Sequence, residues 1–273
     1  MRNFMRVIIY AILIVVFIAT ITPFAWMMVS SLKTQEGIFT FPPRWIPKSP
    51  TFDTYQQLFQ RMTFPVYIRN SIVVTISVTI LVLFFSSLAG YAFAKLRFPG
   101  RERLFILLLM TMMVPAQVTT IPVFLLLKRL GLLNNYLGLI LPAGASAFGI
   151  FLLRQYMQAI PNALLDAARI DGCSEFRIYR SIILPLCKPA IATLAIFTFM
   201  GTWNDFFWPL IIMTQESMYT LPVALANLNA GPYATKYNLL MAGSVVVTSP
   251  IVILFVFMQR YFIQGIALTG MRS

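Results

Sequence analysis

Three of the chain's eight carboxylates, Asp166, Asp171 and Glu175, lie within ten residues of one another, with Arg169 among them. Clustered carboxylates can work as acid and base, hold a metal, or form the charged edge of a docking surface. The rest of the chain narrows that choice. It has no histidine, which removes the commonest general base, the usual zinc ligand and the Ser-His-Asp arrangement. Cys173 and Cys187 are isolated, with neither disulfide nor metal spacing, and read as packing residues. No G-x-x-x-x-G-K-[ST] loop is present, so ATP is not bound by a P-loop here. Gly131 with Gly138, and Gly144 with Gly149, sit in apolar surroundings and read as helix-contact or helix-end positions. No catalytic residue, metal ligand or cofactor is therefore expected on this chain. The charged cluster reads as a surface.

The elements that hold this cluster can be read from its neighbours. Pro161 suits the first turn of a helix. Residues 162–171 are rich in Ala and Leu and make about three turns. Gly172 is a left-handed stop. Ser174 caps a second helix over 175–183, with Glu175 in its first turn, and Pro185 closes it. On the first helix Ala163, Leu164, Ala167, Ala168 and Ile170 form one side. Asp166 and Arg169 form the other, about 60° apart. The segment 154–185 is thus a stiff helix–Gly–helix bracket with a small-residue patch and a charged edge. Residues alone leave two readings: a docking surface for a soluble partner, or a loop lying on lipid headgroups.

The bracket hangs between apolar blocks. The chain is 59% hydrophobic and 11% charged, with mean hydropathy +0.81. A soluble domain carries about 25% charged residues. Spans are expected at about 7–30, 70–94, 104–127, 134–153, 189–213 and 238–260, each long enough to cross ~30 Å of hydrocarbon. The fold class is all-α: one polytopic domain over 1–273 with six transmembrane helices. The first run is too long for a signal-peptide core. Thirteen basic residues fall in the N-terminal, 95–103, 154–188 and C-terminal segments, Arg2, Lys95, Arg154 and Arg272 among them. That bias puts both termini in the cytoplasm. The net charge of +13 then reads as topology and lipid-headgroup contact. Its scatter disfavours nucleic acid as a partner.

One acid is expected inside the membrane. Asp205 lies about 24 Å up its span, in the outer half. A carboxylate near a span's centre costs about 2.5–3.5 kcal/mol, so it should face protein or water. Trp203, Asn204 and Asp205, with Trp208 nearby, suit sugar hydroxyls along a translocation path. They equally suit bonds between helices and an interfacial tryptophan belt. Outside the membrane, the 33–69 stretch, with Pro42, Pro43, Pro47, Pro50 and Trp45, reads as a stiff interfacial loop. The 214–236 stretch, with Asn227, Asn229, Gly231 and Pro232, is polar enough to leave the membrane. A proton- or sodium-driven carrier would need several buried ionisable sites, and the bracket would then have no purpose.

The wording of the bracket resembles the signature cytoplasmic loop of binding-protein-dependent ABC importer permeases: E-A-A, three residues, G, nine residues, I-x-L-P. Asp166-Ala167-Ala168, Gly172, Ile182, Leu184 and Pro185 stand at that spacing, with Asp for the leading Glu. The resemblance extends to FPPRWIPKSPTFDTYQQLF (41–59), LAGYAFAKLRFPGR (88–101), MMVPAQVTTIPVFLLLKRLGLLNNYLGLILP (112–142), GIFLLRQYMQAIP (149–161), TWNDFFWPLII (202–212), TLPVAL (220–225) and QRYFIQG (259–265). It points to the carbohydrate branch, the maltose and glycerol-3-phosphate type. The nearest rival is an amino-acid or phosphonate permease of the same superfamily.

The resemblance implies an inner-membrane permease paired with a second, related permease. Two copies of a cytoplasmic P-loop ATPase would carry ATP and Mg, and an external solute-binding protein would deliver the cargo. Ala167, Ala168 and Gly172 would form the close ATPase contact and its turn. Asp166, Arg169 and Asp171 would lie at its charged edge. Ile182, Leu184 and Pro185 would anchor the bracket to the next span. Arg272 and its neighbours would also reach the ATPase.

Overall fold

The computed structural model describes residues 2–230 and 236–270, without the side chains of 2, 3, 61 and 260–270. Gly231, Pro232 and Arg272 therefore lie outside the described residues. The described chain is all-α, with no strand among its described residues.

Three helices are long and apolar enough to cross a membrane: α1 (Arg2–Ser31), α2 (Phe64–Lys95) and the Tyr237–Gln259 part of the last helix. Proline and loss of helical periodicity divide the other apolar runs. The expected span 104–127 is split between α3 (Arg101–Thr111) and α4 (Ala116–Arg129), whose axes diverge by 94°. Pro115 is the physical cause. It has no N–H to donate, and it pushes Val114 away from helical backbone; Pro115 itself is extended. Next come α5 (Tyr136–Ala143) and α6 (Ala147–Gln158), bent by 40°. Asn135 caps α5 through the Leu137 N–H, and Ser146 caps α6 through the Gly149 N–H, both at close to 3 Å. The bracket follows, made of α7 (Asn162–Ile170) and α8 (Glu175–Ile178). Then α9 (Lys188–Trp203) and α10 (Phe207–Ile212) divide the run expected as one span at 189–213, with a break at 204–206. The chain ends with α11 (Leu221–Ala230) and α12 (Tyr237–Gly270). The third bent pair is Glu175–Leu186 with α9, at 77°, and counting each bent pair as one span brings the total by length and composition to as many as six.

The chain forms two compact units. The first contains Met1–Val66 and Leu221–Ile251. Its polar joints are local: Asn238 donates to Thr54 Oγ1 at 3.3 Å, and the Ser31 and Tyr55 hydroxyls meet at 2.8 Å. The second unit contains Tyr67–Thr220 and Val252–Ser273, and it carries the bracket. Its core is built on the i, i+4, i+8 face of α2, Val74, Val78 and Val82, which shares one cluster with Leu153, Met157 and Leu194.

Small residues bring those helix backbones together. A Cβ on Gly149 would sit 2.5 Å from Ser86 Oγ and 3.1 Å from Leu194 Cδ2. One on Gly90 would sit 3.1 Å from Leu153 Cβ. Overpacking a filled contact costs about 1–3 kcal/mol. Gly149→Leu should therefore lower the detergent-solubilised protein's thermal midpoint by several degrees. Gly201→Ala, where the new Cβ meets nothing within 4 Å, should leave it in place.

Candidate functional site

The bracket begins where α2 ends. Lys95, the last residue of α2, donates to the Ile160 carbonyl at 2.6 Å and to Asn162 Oδ1 at 2.9 Å. This fixes the start of α7 against a spanning helix. On α7, Leu165 and Ala168 are buried and join the core of the second unit. Ala163, Leu164, Ala167 and Ile170 face outward, Ile170 at 87% exposure. Ala168 thus departs from the expected docking face. Leu165 and Ala168, three apart, are only about 60° from each other on the wheel, whereas Ala167 and Ala168 are about 100° apart. The core takes one alanine and leaves the other outside.

The turn after α7 is closed by two bonds. Gly172 N–H donates to the Arg169 carbonyl at 3.0 Å, and Cys173 N–H to that of Ala168 at 2.9 Å. This is a Schellman turn, which requires a left-handed residue between helix and exit; Gly172 has φ +79°. Ser174 Oγ then accepts the Arg177 N–H and caps α8. The helix continues through a wide π-type turn at Tyr179–Ile183 into Leu184–Leu186. Pro185 lies in that last turn and is exposed; Ile182 and Leu184 are half-buried against the core.

Charge ties the two arms together. Arg169 bonds Asp166 Oδ1 at 2.8 Å and Glu175 Oε1 at 2.7 Å, spanning both helices. Glu175 Oε2 accepts the Tyr91 hydroxyl of α2 at 2.6 Å. Tyr91 packs against Tyr179, whose hydroxyl meets Ser87 Oγ, again on α2, at 2.8 Å. A second clamp joins α6 to α3. The Arg154 guanidinium holds both Glu102 oxygens at 2.9 and 2.8 Å and lies over the Phe105 ring. Asp171 is exposed at the C-cap of α7 and forms no ion pair among the described residues. Tyr91, Lys95, Glu102 and Arg154 were absent from the sequence-derived site. Lys95 and Arg154 marked topology only, and partners 52 to 84 positions apart leave no local pattern.

Of the three residues expected in the path, one lines a cavity. Trp203 is buried and stacks on Phe199 at 5.7 Å. Asn204 turns its amide back to the Met200 carbonyl at 2.9 Å. Asp205 sits in the break between α9 and α10, where Oδ1 accepts the Trp208 N–H at 3.3 Å. Its residue borders two cavities, of about 140 and 460 Å³.

This architecture has known counterparts. Residues 83–268 match the family described as the binding-protein-dependent transport system inner membrane component, and the chain belongs to that family. The arabinooligosaccharides transport system permease protein AraQ of Bacillus subtilis (strain 168) is 42% identical over 230 residues, covering 83% of this chain and 81% of its own length. The lactose transport system permease protein LacG of Rhizobium radiobacter is 35% identical over 260 residues, 94% of this chain and 93% of that one. One chain in the crystal structure of a bacterial ABC transporter involved in the import of the acidic polysaccharide alginate is similar with TM-score 0.84. It is 26% identical, with coverage of 96% of this chain and 98% of that one. The protein is thus an inner-membrane permease component, and not a catalytic chain.

The charge thread makes the bracket acid-sensitive. Hydrogen bonds from Arg169 and then Tyr91 hold the Glu175 carboxyl below its usual range, against partial burial that pushes it up. A depressed carboxyl contributes fully above the unfolded value, about 4.3, and loses its contribution as pH falls through the folded value. Bracket stability should therefore be level from pH 7 to 5 and fall below about pH 4. In Glu175→Gln the acid limb should flatten, read by proteolysis of the 154–185 segment across that range. Arg169→Gln should open the same segment at pH 7.

Proposed function

We propose that this chain imports a sugar or sugar-like solute as the permease subunit of an ATP-driven, binding-protein-dependent transporter, with the bracket as its coupling lever. Both termini and the bracket face the cytoplasm. The exposed face of α7 (Ala163, Leu164, Ala167 and Ile170) docks into a cytoplasmic P-loop ATPase. Asp166 and Asp171 form the charged edge of that contact. ATP and Mg bind the ATPase, present in two copies, and this chain pairs with a second, related permease. An external binding protein delivers the solute, as the sugar-transport names of the relatives suggest.

The observation that carries this reading is the bracket's construction. An exposed apolar helix face would be unfavourable in water without a partner. A lever must also be stiff. Arg169 fastens its two arms together, Glu175 fastens them to Tyr91, and Lys95 fastens its root. When the ATPase pair closes around ATP, movement of α7 then becomes movement of α2. The spans above rock between inward- and outward-facing states. Ala168, Leu165, Ile182 and Leu184 serve the same end from inside, as the packed base of the lever.

Two variants separate docking from folding. Proline cannot adopt φ +79°, so Gly172→Pro should break the elbow. Transport by vesicles should fall by at least tenfold, with the protein still inserted and ATP hydrolysis no longer stimulated by loaded binding protein. Ala167→Trp, on the open face, should detach the ATPase during purification at an unchanged thermal midpoint. Wild-type uptake by both variants would contradict the lever.

A further inference from the structure

Asp205 stands where two cavities meet, and no Lys or Arg lines either of them among the described residues. The wider cavity is edged by Gln117, Thr119, Thr120, Asp205, Phe207 and Trp208. Three of its polar groups have defined partners. Thr119 and Thr120 spend their hydroxyl protons on the Ala116 carbonyl, at 2.9 and 3.1 Å, and so offer oxygen lone pairs to the cavity. The Trp208 indole N–H donates to the Gly138 carbonyl at 3.3 Å, which fixes the plane of the ring. A fixed aromatic ring beside amide, hydroxyl and carboxylate groups suits a polyhydroxylated ring.

The smaller cavity lies on the other side of Asp205. Thr75, Thr202 and Thr220 line it, and the Thr220 hydroxyl is buried with no protein partner. This recess of about 140 Å³, apolar apart from these hydroxyls, Ser71 and Asp205, has room for several water molecules at ~30 Å³ each. Water in this recess would solvate the Asp205 carboxylate, which no described Lys or Arg lining either cavity neutralises. Two independent features, an uncompensated acid and an orphaned hydroxyl, thus converge on one place. The break at 204–206 belongs with them, since non-helical backbone at membrane depth is tolerated where it lines a cavity.

We infer that Gln117, Asp205 and Trp208 form a subsite on this subunit that takes a neutral saccharide and turns away an anionic one. The selection rests on the Asp205 charge, which repels carboxylate- or phosphate-bearing solutes while accepting hydrogen bonds from sugar hydroxyls. The inference builds on the importer reading above and narrows its cargo.

The test uses the complete importer in membrane vesicles. Gln117→Cys is made with Cys173 and Cys187 replaced by Ser. Labelling rates are measured for a cationic and an anionic methanethiosulfonate, each corrected for its rate with a free thiol. The cation should react at least tenfold faster. Adding Asp205→Asn should bring the ratio below threefold; the asparagine oxygen can still accept the Trp208 N–H, so the change is not one of folding. Arabinotriose should slow the labelling, and trigalacturonate should not. A ratio near one, a ratio that Asp205→Asn leaves unchanged, or equal protection by both trisaccharides would overturn the filter. Failure of the parent vesicles to take up any neutral sugar would instead overturn the importer reading, which the labelling ratio does not depend on.

Discussion

The bracket can transmit force only if it does not yield, and its stiffness depends on Arg169 reaching both arms at once. A pair of exposed charges is worth only about 0.2–1 kcal/mol, so neither ion pair would suffice alone. The guanidinium links Asp166 on α7 to Glu175 on α8, and Glu175 passes the link to Tyr91 on α2. Lysine, with one point charge, would not span the two carboxylates in the same fixed geometry. Beneath this thread the turn has a hydrophobic base. Leu165, Ala168, Ile178 and Ile183 are buried in one cluster, and full burial of a Leu or Ile side chain contributes about 1.5–3 kcal/mol. Burial supplies most of the stability, and the charges set the angle between the arms.

The bracket is fastened to α2, and that helix is the best packed of the long three. A third of its apolar window is buried, against none for α1. Its small residues, Ser86 and Gly90, face α6, with Gly149 against Ser86 and Leu153 against Gly90. Its last turn holds Lys95, and its C-terminal half holds Ser87 and Tyr91. Among the described residues, the α2 contacts to the bracket come from Ser87, Tyr91 and Lys95 near the C-terminal end of that helix, while Arg154 at the bracket's start is held by Glu102 of α3. The bends lie elsewhere. They occur at Pro115, around 144–146 and at Cys187, and the first of these, with the helix break at 204–206, borders the cavity at Asp205.

Much of this was legible in the residues because the signals were strong and local. The long apolar runs specified the helices. Gly172, Ser174 and Glu175 specified the turn, and each occupies the expected role in its backbone bonds. Three features were not legible. The 94° bend at 112–115 was hidden because hydropathy does not register a change of direction, although Pro115 was a sufficient physical cause. The inward turn of Ala168 was lost because alanines at successive positions look alike in sequence, while burial is settled by the face that Leu165 defines. The Tyr91–Glu175 and Lys95–Ile160 bonds were invisible because they join residues 84 and 65 positions apart. Asp205 was visible as an anomalous charge. Its cavity partners on α4 come from a helix whose position depends on the unanticipated bend.

The most direct measurement of the central claim is a spin-label distance within the assembled importer, from Ile170 on the exposed face of α7 to Ile80 on the exposed side of α2. Both side chains project outward, so labels should be tolerated. The account predicts one narrow distribution with the same mean in the nucleotide-free and ATP-bound states, broadening when Arg169 is replaced by Gln. A mean that shifts between the two states, or a wide distribution in the unsubstituted protein, would contradict it.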